Sequence, residues 1–311
     1  MIDGNLKENL HFKWTSSNKP IAKTEEEEVV RIKIPDSSIN QIKRGMSSSD
    51  LSKIDPSLFD GAVGPIYIAG SEPGDSIEIE ILDIKSGNEG WSAIINDFGL
   101  LKNRYGERVI TWSKIENFWR CDDEEFLRGI KIPDVPFLGV IGTSPSEGEY
   151  GMIPPQHFGG NMDNRMIGIG SRIILPVNVE GAMVSFGDPH GHQGDGEICG
   201  TAIETDMEID VRFKILRKRT NSPVIFSQDT VKGDFVFTSG ISNDLHNASV
   251  EAVESMISYL CEFGFSEEES YILLSVAGNL SIREIVDEPN FVVNMGLDRK
   301  IIGMRSNENH F

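Results

Sequence analysis

Between Gly187 and Glu204 the chain reads Gly-Asp-Pro-His-Gly-His-Gln-Gly-Asp-Gly-Glu-Ile-Cys-Gly-Thr-Ala-Ile-Glu. Asp188, His190, His192, Asp195 and Glu197 offer carboxylate oxygens and imidazole nitrogens, the donors that hold hard or borderline divalent cations and carry protons. Gly187, Gly191, Gly194 and Gly196 let the backbone turn tightly among them and approach a ligand closely. Asp188 and His190 follow the apolar run Ala182-Met-Val-Ser-Phe and stand two apart, so an extended backbone points both to one side. There they can grip one ion, with a position left open for a water whose pKa the ion lowers and with Glu197 as ligand or general base. The competing reading makes Asp188 and His190 turn caps and Asp195-Gly-Glu a hairpin loop.

A second polar cluster precedes it, Pro154-Pro-Gln-His-Phe-Gly-Gly-Asn-Met-Asp-Asn-Arg, in which Asn161 and Asp163 either converge on a ligand or belong to an ordinary Gly-rich loop. Other chemistries find no support. The ligand ladder of a helix-loop-helix calcium site, HExxH and GxxxxGK are absent. There is no GxSxG nucleophile elbow, and Gly142-Thr-Ser-Pro-Ser lacks the pattern of the Ser-Ser-Lys amidases. Cys199, in Ile198-Cys-Gly, reads as a buried strand residue rather than a nucleophile. His11, beside Trp14, is either a packed residue or a group that reaches the site from the N-terminus.

The elements that must position these residues are short apolar, β-branched runs set between Gly, Pro, Asp and Asn. They are Val29 to Ile34, Val63 to Ala69, Ser76 to Ile84, Phe137 to Thr143, Arg172 to Val179, Ala182 to Phe186, Glu208 to Leu216, Val224 to Ser227 and Asp234 to Thr238. In Ser76-Ile-Glu-Ile-Glu-Ile the alternation is that of a strand with one buried and one wet face, which implies antiparallel sheets. After Ser239 the period changes. Leu245, Ala248, Ala252, Val253, Met256, Ile257 and Leu260 fall at helical spacing, with Gly264 as a stop. Ser266 with Glu269, and Ser281 with Glu284, match capping boxes that predict two further helical segments, and Phe291 to Met295 reads as a strand. The expectation is a mainly β catalytic region over 1–240, in one or two packed β subdomains, and an α/β portion with an α-rich character over 241–311.

Composition narrows the partners. With 49 acidic against 29 basic side chains the formal charge is −20, which repels nucleic acid and anionic membranes and favours neutral or cationic small ligands. Cys121, Cys199 and Cys261 are odd in number and far apart, so neither a disulfide framework nor a thiolate zinc site is suggested. No apolar run approaches the length of a membrane span, and the polar start at Met1 to Asn18 is unlike a signal peptide; a cytoplasmic setting is expected.

Gly159-Gly-Asn-Met-Asp, Leu175-Pro-Val-Asn-Val-Glu-Gly-Ala, Gly187-Asp-Pro-His and Gln193-Gly-Asp-Gly-Glu-Ile-Cys-Gly-Thr-Ala-Ile-Glu together make the chain closely resemble the acetamidase/formamidase family. His11-Phe-Lys-Trp, Gly64-Pro-Ile-Tyr-Ile-Ala-Gly-Ser-Glu-Pro-Gly-Asp and Leu274-Ser-Val-Ala-Gly-Asn-Leu extend the likeness over nearly the whole chain. The resemblance implies a mainly β fold with a jelly-roll-like sandwich, a β-barrel-like portion and an α/β addition. It also implies metal-dependent hydrolysis of a small neutral amide, of the formamide or acetamide type, with zinc or calcium as the ion, in a homodimer or higher homo-oligomer. By position, Asn161 and Asp163, Asp188 and His190, and Asp195 and Glu197 match the family's motifs, and His11 and Trp14 a weaker N-terminal one; on that basis Asp163, Asp188 and His190 are expected to hold the metal, with His11 and His192 as further candidates, and Glu197, Asn161 and Asp195 are the catalytic candidates. Two positions depart from many members: Asp60 and Phe158 stand where a histidine is common. Such changes alter metal choice or substrate size, and leave hydrolysis of a lactam, or a non-catalytic metal-binding role, as alternatives.

Overall fold

The computed structural model describes residues 1–123, 125–229 and 233–308. Alternation in Ser76–Ser86 does what its pattern predicts, with Ile77, Ile79 and Ile81 fully buried and Glu78 and Glu80 turned outward. Each buried isoleucine contributes about 1.5–3 kcal/mol relative to an exposed one. This strand pairs antiparallel with Met207–Leu216 on one side and Arg172–Pro176 on the other. They lie within a nine-stranded sheet in the order Ile2–Asp3, Val29–Ile34, Met207–Leu216, Ser76–Ser86, Arg172–Pro176, Val224–Asp229, Gly233–Ser242, Phe291–Asp298, Asn279–Glu284.

A second sheet runs Gly159–Asn161, Phe137–Gly142, Val184–His190, Ala62–Ile68, Leu10–His11, and Ala22–Thr24 also pairs with Ala62–Ile68. One apolar core joins the two sheets. Ile79, Ile173, Leu175, Ile209 and Phe213 from the larger meet Val63, Ile66, Leu138, Ile141 and Phe186 from the smaller. A third sheet runs Ile132–Pro133, Phe118–Cys121, Arg108–Ile115, Glu89–Ile94.

Helices Leu245–Cys261 and Glu267–Ala277 follow their periodicity, and Ala248, Ala252, Met256 and Leu260 bury one face of the first against Val236, Val293 and Met295. Ser266 and Glu269 form the expected reciprocal cap. Ser281 and Glu284 do not: Asn279–Glu284 is an edge strand paired with Phe291–Asp298, because tertiary pairing overrides a short capping signal.

Candidate active site

Asp163 and His190 come from opposite neighbours of one strand. Phe137–Gly142 pairs with Gly159–Asn161 on one side and with Val184–His190 on the other, so Val140 lies opposite both Asn161 and Gly187. Gln193 Nε2 then donates to the Asp163 carbonyl at 2.9 Å, tying the two sequence clusters together. Beyond His190 the chain folds back. Gly191 N donates to Ile203 O at 2.8 Å and Ile203 N to His192 O at 3.0 Å, which brings Glu204 beside His190. Reciprocal backbone bonds at 2.9 Å between Glu204 and Trp91 attach this return to the third sheet.

Regular alternation does not produce the contact. Asp163, Asp188 and Glu197 have φ of 44°, 47° and 44°, and Asp60 has 54°, all left-handed. Such conformations in non-glycine residues cost of order 1–3 kcal/mol each and persist where the surroundings over-determine them. Gly139 supplies the remaining freedom, since a Cβ there would overlap the carboxylates of Asp188 and Asp163.

At the centre lies His190, fully buried, with Phe137 edge-on at 5.0 Å. Its Nε2 is 2.9 Å from Asp188 Oδ2, 3.3 Å from Glu204 Oε2 and 3.9 Å from Glu197 Oε1, and its Nδ1 is 3.8 Å from Asp163 Oδ1. None of these contacts is aligned as a hydrogen bond, and both imidazole nitrogens and both Asp163 oxygens are buried without a hydrogen-bond partner among the described residues. Asp163, His190 and Glu197 form one set of converging donors, and Asp188, His190 and Glu204 another, with the donor atoms of each set within 4.8 Å of one another. Unpartnered buried oxygens and nitrogens turned on a common point fit a divalent cation, whose charge satisfies them together.

The electrostatics agree. Burial pushes Asp188 and Glu197 well above the usual carboxylate range, against the pull of His190, and pushes Asp163 up to about 6. Burial followed by the charge of Glu284 raises Asp287, and burial followed by Asp188 raises Asp60. Burial opposes the His190 charge, but Asp188 and Glu204 outweigh it and hold the imidazole proton well above its ordinary range. Glu204 is the exception. Burial raises it, yet His190 and the bond from Ser37 Oγ at 2.8 Å help keep it below its usual value. So many acids cannot ionise around one imidazole unless a cation joins them.

Several residues add to the sequence-level set. Glu204 closed the recognised motif without a role, and its return to His190 is a tertiary event. Asp287 and Glu284 arrive from the C-terminal portion. Glu284 accepts backbone bonds from Val286 and Asp287, and Asp287 Oδ2 accepts from Asn161 Nδ2 at 2.7 Å, leaving Asn161 Oδ1 buried and free.

Other candidates lie elsewhere. Asp195 is outside both donor sets. Arg165 grips it through two bonds at 2.7 and 3.0 Å and Arg283 Nη1 through one at 2.8 Å. Burial works against its charge, but these arginines together hold its carboxyl below the usual range. His11 bonds Ser185 Oγ at 2.8 Å and packs edge-on to Trp14, and His192 is half-buried, neither of them in a donor set. Cys199 is exposed in a turn, because the segment around it folds as a loop and forms no strand. Phe158 packs on Trp14 and Tyr150 away from the cavity, whereas Asp60 lines it.

That cavity has a volume of about 170 Å³. Asp60, Asn161, Asp188, Glu197, Glu204 and Asp287 are its acidic and amide lining, Ser37 and Thr201 add hydroxyls, and apolar side chains complete it. It can hold a small polar molecule over the acids.

The family model described as Acetamidase/Formamidase matches residues 3–150 and 148–304. Formamidase of Methylophilus methylotrophus is 26% identical over 94% of this chain and 89% of its own length. Acetamidase of Mycolicibacterium smegmatis is 26% identical over 86% and 85%. Among solved structures, acetamidase of Bacillus halodurans superposes with a TM-score of 0.87 at 28% identity, covering 97% of this chain and 98% of that one.

Proposed function

The chain belongs to the acetamidase/formamidase family, and on that premise we propose that it is an amidohydrolase that cleaves the linear C–N bond of a short amide to carboxylate and ammonia. The observation that carries the reading is the set of buried donors converging on His190, of which Asp188, Glu197 and Glu204 also line a small cavity. Asp163, Asp188 and His190, with Glu204 beside them, are the residues to hold a divalent cation, Glu197 being left for proton transfer, and the imidazole shared by both sets favours zinc over calcium, which prefers oxygen alone. Such an ion supplies charge that polarises the carbonyl and lowers the pKa of water.

The protein's own groups supply the rest. Water adds to the carbonyl carbon, and ionised Glu197 accepts its proton. With its pKa raised by burial, Glu197 then suits delivery of that proton to the departing nitrogen as the C–N bond breaks. Asn161 donates to Asp287, so its free Oδ1 accepts from the substrate N–H and fixes the amide's orientation. Proton delivery is required because an amide nitrogen leaves poorly as an anion. Homo-oligomerisation and the jelly-roll and barrel description of the sheets belong to the same reading.

Ammonia release from formamide, acetamide and longer primary amides, with metal content measured in parallel, tests it. Glu197→Gln is expected to lower kcat by about 10²–10⁴-fold while the metal is retained. Full metal occupancy with no turnover of any amide by the unaltered protein would sink the proposal.

A further inference from the structure

The cavity lining divides by chemistry and by origin. Pro56 and Phe59 come from the turn after the 3-10 helix Pro56–Leu58 begins, Trp91, Ile95 and Phe98 from the strand Glu89–Ile94 and the loop beyond it, and Ile153 from a separate loop. Apart from Phe59, which adjoins Asp60, none of these is next in sequence to an acid that lines the cavity. Phe59 and Trp91 meet edge to face at 6.2 Å, an arrangement that fixes both rings. Gly200, at φ 85°, makes room for the Phe98 ring, which a Cβ would strike. Trp91 is 3% exposed and its indole N–H has no hydrogen-bond partner among the described residues.

A formyl group has no carbon beyond its carbonyl and an acetyl group only a methyl. Neither can cover six apolar side chains around a volume of about 170 Å³, several times the roughly 30 Å³ share of one water. Unfilled, such a wall gains nothing from substrate. We propose that Pro56, Phe59, Trp91, Ile95, Phe98 and Ile153 form an acyl-chain pocket, so that the preferred substrate is a primary amide with about two or three carbons beyond the carbonyl. The inference rests on the amidase reading and specifies its substrate.

The test compares acetamide, propionamide and butyramide on the metal-loaded protein. Apolar burial predicts a gain in kcat/KM of roughly fourfold per methylene, so butyramide exceeds acetamide by roughly fifteenfold. Ile95→Phe, which fills the pocket, lowers the butyramide-to-acetamide ratio about tenfold. Binding of each amide is followed in parallel by tryptophan fluorescence, with Trp91→Phe assigning the signal. Tighter binding of butyramide than acetamide without turnover of either supports the pocket and overturns the amidase reading. A kcat/KM that is flat or falls from acetamide to butyramide overturns the pocket, as does equal binding where neither is turned over.

Discussion

Gly139 lies in the strand between the two ligand-bearing segments, where a Cβ overlaps both the Asp163 and the Asp188 carboxylates. Gly139→Ala is therefore expected to push both acids off His190, costing about 1–3 kcal/mol of stability and weakening cation binding. Calorimetric titration with zinc checks this, and wild-type affinity in the variant contradicts it. Asp36 shows the price of burial away from the donor sets. Desolvation raises it to about 6, although Ser38 Oγ and Asn40 N donate to its Oδ1 at 2.6 and 3.0 Å. Its folded pKa exceeds the 3.8 of an unperturbed aspartate, so the folded state holds the proton more tightly. The stability it contributes is complete below that lower value and lost as pH rises through about 6. Asp36→Asn keeps the acceptor and removes the charge, and should gain about 1–3 kcal/mol over wild type at pH 8 but little at acidic pH, read from urea midpoints.

At the scale of elements, the edge strand Asn279–Glu284 and the turn after it reach the loop that carries Glu197 and, through Asp287, Asn161 of the second sheet. Arg283 closes on Asp195, Gly196 N donates to Arg283 O at 2.8 Å, and Glu284 and Asp287 follow immediately. The Arg165–Asp195–Arg283 clasp thus holds the loop that carries Glu197. Asp195→Asn should cost about 1–3 kcal/mol by weakening charge-assisted bonds to a largely buried arginine. It should also lower kcat about tenfold through displacement of Glu197, with the pH profile keeping its shape. A profile that loses a limb would instead place Asp195 in proton transfer.

For the whole molecule, a net charge of −20 and a core of crowded carboxylates lead to the expectation that a cation stabilises the folded state. Chelation should lower the thermal midpoint, and an ion at 100 times its Kd adds about 2.7 kcal/mol. Protons compete for the same oxygens. With Asp163 raised to about 6, the cation-induced shift should be larger at pH 8 than at pH 5. Differential scanning fluorimetry with and without chelator at the two pH values measures it, and an unchanged midpoint at pH 8 would refute cation dependence.

Ser76–Ser86 and Leu245–Cys261 were legible because a period of two or of 3.6 is local, and burial of the apolar face follows from it. The motifs around Asn161, Asp163, Asp188, His190 and Glu197 were legible because unusual residue types crowd short stretches. Glu284 was misread, since a capping pattern spans few residues and strand pairing with Phe291–Asp298 outweighs it. Asp195 kept its place in the motif, but only its neighbours show that arginines hold it. Asn161 meets Asp287 across 126 residues of sequence, and no local pattern encodes such a pair. Composition and motif by themselves determined that this chain carries an acidic, histidine-centred site on a β framework. Which acids share His190, which glycine admits them and which apolar wall faces them were decided by tertiary structure alone, because buried charges take their chemistry from neighbours that only folding brings within a few ångströms.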